Sequence, residues 1–180
     1  MIYYHGSNIP DITELKCGGR DSVVYLTHSR AYALLYIRDR DLDYVTSGFR
    51  EDGTLIYEEW FPGQMEQLYQ GQSGYLYYCD KEEHFAQGRA RGITVSYAPV
   101  AVSGCEYIAN VYEELRKELA AGRIKRLAYD SLSAERKKLM QEGMVKLFME
   151  LDETTIHPKK LAFYKQNFPA AWAEARRDVR

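Results

Sequence analysis

Cysteine is scarce in this chain. Cys17, Cys79 and Cys105 are far apart and odd in number, and no C-x-x-C pair occurs, so neither a thiolate zinc site nor a disulfide framework is indicated. No apolar run approaches the ~20 residues needed to cross a bilayer. The opening MIYYHGS lacks the basic stretch and apolar core of a signal peptide. A reducing, cytoplasmic setting without membrane contact is the expectation. There is no G-x-x-x-x-G-K-[ST] loop and no G-x-G-x-x-G, and GQSG at 71–74 lacks the context of a nucleophile elbow. His5, His28, His84 and His157 show no H-x-H or H-E-x-x-H spacing, so no metal is expected. No internal repeat and no low-complexity linker is present.

What the chain has in plenty is tyrosine: 16, against 6 Phe and 2 Trp. A tyrosine packs like phenylalanine, but its hydroxyl needs a partner, so a tyrosine-rich chain favours amphipathic clefts as well as half-buried packing. Hydrophobic residues at 46% and charged residues at 28% describe a globular chain. At 180 residues it can bury a sizeable core as one domain with an appended helical extension. The net charge of −2 hides an asymmetry. Residues 1–122 hold 11 Lys and Arg against 18 Asp and Glu (−7), and residues 123–180 hold 13 against 8 (+5). The basic C-terminal part reads either as a solvated helical surface or as a weak nucleic-acid contact.

Ile2–Tyr4, closed by Gly6 and Ser7, reads as a first strand, and Ser22–Thr27 as a second after the Gly18-Gly19 turn. Ser29 is placed to cap a helix over Arg30–Arg38. Thr54–Trp60, Gly74–Cys79, Ile93–Tyr97 and Val100–Val102 are further strands, with a short helix over Gly63–Gln70. From Tyr107 the pattern turns helical. Ile108, Val111, Tyr112, Leu115 and Leu119 recur at helical spacing until Gly122. Met140, Met144, Leu147, Phe148 and Leu151 repeat it behind a Ser133 cap. Pro158 opens a third helix, which Pro169 ends, and Ala170–Arg176 forms a last short one. The expected class is α+β: packed β-sheets with one early helix over residues 1–105, then a helical extension over 106–180 packed on the sheets as one structural unit.

YHGS on a first strand, followed by VYLT and a helix carrying A-x-x-Y, resembles the ADP-ribosyltransferase superfamily, nearest its poly(ADP-ribose)-polymerase-like branch. The likeness covers roughly residues 1–40, where Tyr25 and Tyr36 stand eleven apart. It implies an ADP-ribosyltransferase-like fold with NAD+ as substrate and no metal. The implied reaction is mono-ADP-ribosyl transfer to a protein or nucleic-acid acceptor. It implies that Tyr25 and Tyr36 sandwich the nicotinamide, a flat cationic ring suited to stacking and cation–π attraction. It implies further that the Gly6 backbone meets the carboxamide, that His5 hydrogen-bonds the ribose, and that Ser7 completes the motif. Read as residues alone, His5 also fits a strand end, Tyr25 a core strand, and Gly6-Ser7 a turn.

Ala33 stands where the family commonly has a serine that donates to the carboxamide, removing one hydrogen bond of about 1 kcal/mol. The reaction needs a carboxylate near the ribose to stabilise an oxocarbenium-like transition state. Glu106 in GCEYIANVY resembles the family's glutamate segment, yet it also suits the first turn of the helix expected from Ile108. If Ile93–Tyr97 is the corresponding strand, the position falls near Thr94 and no acid is present. Glu58 and Glu59 are further acids without motif support. Two rivals remain: a non-catalytic binding module of the same fold, and an RNA 2′-phosphotransferase-like enzyme. The second needs a basic phosphate-binding set, and the sequence gives no sign that Arg20, Arg30 and Arg38 converge to make one.

Overall fold

The computed structural model describes residues 1–18, 21–39, 46–80 and 83–177. Arg20 and Gly19 lie outside them. The fold is α+β, as expected, with six α-helices, one six-stranded sheet and two smaller sheets among the described residues. Contacts divide the chain into two compact units. One comprises Met1–Arg38, Ser47–Tyr57 and Met65–Arg126; the other comprises Asp39–Thr46, Glu58–Gln64 and Leu127–Arg180. The sheet-bearing unit therefore runs past the boundary expected at residue 105.

The strands are β1 (Ile2–Ser7), β2 (Glu14–Leu15), β3 (Val24–Thr27), β4 (Thr46–Phe49), β5 (Leu55–Glu58), β6 (Gly74–Asp80), β7 (Phe85–Gln87), β8 (Ile93–Ser96), β9 (Val100–Ala101), β10 (Gly104–Ile108) and β11 (Lys125–Leu127). The large sheet has the order β10-β6-β1-β3-β8-β7, and every pairing in it is antiparallel. β1 pairs with β6 over its whole length, His5 opposite Tyr77 and Gly6 opposite Leu76. Its paired register with β3 is confined to Tyr4 opposite Thr27.

Strand alternation then sorts the side chains onto two faces. Tyr3, Val24, Leu26 and Cys79 lie on one face and form a core with Leu15 and Val100 of the small β2–β9 sheet. Gly6, Leu76 and Glu106 share a cross-strand row on the other face, which helix α1 (Arg30–Leu34) covers. An ideal Cβ at Gly6 would stand 2.0 Å from the Ala33 carbonyl oxygen. Glycine is thus required there because the helix backbone makes the close approach, where the sequence pointed to a ligand.

Ser29 caps α1 as expected, its hydroxyl accepting from the Tyr32 N–H at 3.1 Å. The helix is shorter than expected. After Leu34 the chain tightens into i→i+3 turns, with the Tyr36 N–H donating to the Ala33 carbonyl at 3.0 Å. Tyr36 therefore follows the helix and does not ride on it.

A second correction concerns Glu106. The helix expected from Ile108 begins at Val111 as α3 (Val111–Ala120), capped by the Asn110 side chain. Glu106 lies on edge strand β10, paired opposite Leu76. Ile108 fits the helical spacing of Val111, Tyr112 and Leu115 by coincidence, and an edge strand exposed at three successive residues, Cys105 to Tyr107, leaves little alternation to read.

The other unit holds α4 (Ala134–Glu150), α5 (Pro158–Asn167) and α6 (Pro169–Ala175). Ser133 caps α4 by accepting from the Arg136 N–H. Pro169 begins α6 where the sequence suggested an end to α5; Phe168 closes one helix and precedes the other. Pro at a first helical position has no N–H to lose and a preset φ. Helix α2 (Gln64–Tyr69) follows β5 in the chain. No described helix is long and apolar enough to cross a membrane.

Candidate functional site

Tyr25 sits on β3 and Tyr36 in the turn after α1, and both line one cleft of about 390 Å³. That volume falls within the range of small-molecule sites. Strand alternation places Tyr25 on the α1-covered face, two residues before Thr27. The tightened turn after α1 then brings Tyr36 to the same side. Tyr25 is 44% exposed and Tyr36 43% exposed. Their rings make no ring–ring contact with each other. The rest of the lining includes Asp21, Tyr32, Arg89 and Tyr97, with Ile93 and Val95 from β8.

Each tyrosine is held from behind. The Tyr25 hydroxyl donates to Asp21 Oδ2 at 2.6 Å. That bond, with some burial and the Asp21 charge, raises the Tyr25 phenol above its usual range, while Arg89 pulls the other way. Desolvation, followed by hydrogen bonding to Tyr32, pushes the Tyr36 phenol well up. Both rings are therefore neutral at physiological pH. The Arg38 guanidinium lies over the Tyr36 ring, 5.6 Å from its centre. Buried Tyr32 meets Tyr36 at 5.4 Å and Phe49 edge-on at 5.2 Å, which fixes this wall of the cleft. Neutral, electron-rich ring faces beside a carboxylate suit a flat cationic group.

The first-strand motif is placed differently. His5, Gly6 and Ser7 do not line the cleft. His5 Nδ1 donates to the Tyr25 carbonyl at 2.9 Å, bridging β1 and β3 just where their paired register stops. It touches the site through the backbone of one of its tyrosines. Ser7 is buried, and its hydroxyl accepts from the Ile9 N–H at 3.2 Å, which caps a turn.

Glu106 is also outside the lining. Both its oxygens are engaged by Arg30 at the start of α1: Nη2 donates to Oε1 at 2.7 Å and Nε to Oε2 at 3.3 Å. The same guanidinium reaches Glu114 and Glu118 of α3 at 3.1 Å each. Lys117 bonds Glu114 at 2.6 Å, and Arg123 bonds Glu118. Three cations and three carboxylates thus form one balanced network. The hydrogen bonding that Arg30 donates to Glu106, the largest cause, holds its guanidinium firmly protonated. Lys117 first, with Arg30, lowers the Glu114 carboxyl against a partial desolvation cost.

The remaining sequence candidates have structural partners. Glu58 takes two hydrogen bonds from Arg136 at 2.9 and 2.5 Å, and buried Glu59 accepts from the Tyr129 N–H at 3.3 Å. Both belong to the helical unit. Thr94 is buried on β8 opposite Leu26. Arg30 is held by its three carboxylates and Arg38 by the Leu35 carbonyl at 2.7 Å, so these two are not gathered into a phosphate site. Among the described residues no group of three or more His, Cys, Asp or Glu is arranged around a metal.

Sequence reading missed Asp21, Arg89 and Tyr97. Arg89 and Tyr97 are isolated residues in a loop and after a strand end, and the pairing of β3 with β8 and β8 with β7 brings them to Tyr25; Asp21 stands four residues before Tyr25 and bonds it locally. A second cavity, of about 150 Å³, lies in the helical unit among Trp60, Phe61, Met140, Met144 and Phe168. Its polar neighbours Gln141 and Asn167 are bonded to Glu174 and to the Phe163 carbonyl. With few groups left to orient a ligand, it is the weaker candidate. Comparisons with family models, curated proteins and solved structures return no match to this chain.

Proposed function

We propose that the chain binds NAD+ by holding the nicotinamide ring between Tyr25 and Tyr36, as a mono-ADP-ribosyltransferase acting on a protein or nucleic-acid acceptor. The observation that carries this reading is the meeting of two half-exposed tyrosines in one cleft without touching, beside the Asp21 carboxylate. Such a site attracts the pyridinium ring while it is cationic and holds neutral nicotinamide less well once the glycosidic bond has broken. In transfer, the electrons of the C1′–N bond pass to the ring nitrogen. The acceptor oxygen or nitrogen then attacks C1′ and releases its proton.

The state of Glu106 favours a second reading. A carboxylate gripped at both oxygens by Arg30 is poorly disposed to reach a ribose. A binding module of the same architecture, without transfer, follows if that grip persists with NAD+ bound.

Titration of the whole chain with NAD+, together with a nicotinamide-release assay, tests both readings. Saturable binding with slow nicotinamide release supports the transferase, and binding without release supports the module. In the first case Glu106→Gln separates roles. A fall in release of ~100-fold with binding intact assigns Glu106 to the chemistry; unchanged release leaves it in the ion network. No binding at saturating NAD+ rejects both readings.

A further inference from the structure

The loop between β7 and β8, Gly88 to Gly92, carries two arginines whose surroundings differ. Arg91 donates from Nη1 to the Glu51 carbonyl at 2.9 Å. Arg89 lines the cleft, is exposed, and has no carboxylate or carbonyl partner among the described residues. Most exposed arginines are simply solvated, but the loop that bears this one is unusually restrained. The Gln87 side-chain amide donates toward two of its carbonyls, Gly88 at 3.4 Å and Ala90 at 3.3 Å, and to that of Ile93 at the start of β8 at 3.0 Å. Backbone bonds close it from Gly88 N–H to Ile93 at 2.9 Å and from Ile93 N–H to Ala90 at 3.2 Å. Gly92 has φ +75° and packs against the Phe49 ring, where a Cβ would fall 2.3 Å from a ring carbon. Phe49 in turn supports Tyr32 and, through it, Tyr36.

Loop and aromatic wall are thus one braced structure, which holds an uncommitted guanidinium at the mouth of a tyrosine-lined cleft. The cleft carries opposite charges: the Asp21 carboxylate, capped by the Tyr25 hydroxyl, and the Arg89 cation. Resting on the reading that the tyrosines hold a nicotinamide ring, we infer that Arg89 contacts the phosphate on the sugar attached to that ring. The ligand class is then a phosphorylated pyridinium nucleotide, and the free base or unphosphorylated nucleoside is a poor ligand. A guanidinium suits this task because its planar fork donates paired hydrogen bonds to phosphate oxygens.

Calorimetric titrations of the intact chain with nicotinamide riboside and nicotinamide mononucleotide, which differ by one phosphate, test the assignment. The mononucleotide should bind about tenfold or more tightly, as a charge-assisted hydrogen bond supplies, and added salt should shrink that gap. Arg89→Ala should erase the preference for the mononucleotide over the riboside, and Arg89→Lys should restore part of it. Circular dichroism of both variants should match the parent, since the side chain is exposed. Equal binding of the two ligands by the parent, or a preference that survives in Arg89→Ala, overturns the role of Arg89 and leaves the tyrosine cleft standing. Failure of both ligands and of NAD+ to bind rejects the cleft reading and this inference with it.

Discussion

Two regions of this molecule are rich in aromatic rings and use them in opposite ways. In the helical unit Phe148 is wholly buried and meets Tyr164, Phe168 and Trp172 at 5.1–6.3 Å. Phe61 packs edge-on against Phe163 and Phe168. In the sheet unit Tyr25, Tyr36 and Tyr97 leave much of their surface open around a cleft. Four of the six phenylalanines of the chain lie in the first cluster, and none lines the cleft. The hydroxyl makes the difference. A phenyl ring gains most by leaving water altogether, whereas a phenol tolerates a half-exposed position if its oxygen is hydrogen-bonded. Half-exposed rings forgo about 1 kcal/mol each relative to full burial, a sacrifice that a ligand surface explains better than packing does.

If this contrast is sound, changes in the two regions must have different consequences. The largest effect on stability is expected from Phe148→Ala. Removing a fully buried ring with three aromatic neighbours should cost about 3–5 kcal/mol in urea unfolding, with ligand affinity unchanged in whatever protein remains folded. A loss below about 1 kcal/mol would show that the helical cluster is not a core.

Gly6→Ala is next. The new methyl would overlap the Ala33 carbonyl and crowd Ile37, and backbone cannot yield as a flexible side chain does. A destabilisation of about 1–3 kcal/mol is expected, seen as a lower melting temperature without ligand. Full stability combined with lost NAD+ binding would instead return Gly6 to the site.

Tyr36→Ala should reverse the pattern of Phe148→Ala. Its stability cost is expected to be about 1 kcal/mol or less, while NAD+ affinity falls roughly 2- to 30-fold, the range of one cation–π contact. Calorimetry alongside denaturant unfolding checks both arms. Equal NAD+ affinity in the folded variant would remove the sandwich.

Much of this frame is legible in the sequence because it is written locally. The caps at Ser29 and Ser133, the Pro158 start and the first strand each depend on a few adjacent residues. The shared pocket of Tyr25 and Tyr36 is an implication of the resemblance carried by YHGS, VYLT and the eleven-residue spacing, and both residues do line one cleft. What could not be read depends on distant partners. Glu106 finds Arg30 across 76 positions of sequence. Gly6 serves a helix that begins far downstream, and Arg89 reaches Tyr25 only through the β7–β8–β3 pairings. The three-residue strand β7 and the glycine-bearing β4 have too little apolar alternation to announce themselves.

The most direct measurement is a crystal structure of the whole chain grown or soaked with saturating NAD+. The pyridinium ring is expected to be stacked between Tyr25 and Tyr36, with the Tyr25–Asp21 hydrogen bond kept. A dinucleotide bound elsewhere on the chain, or a cleft still free of ligand under those conditions, would contradict that placement.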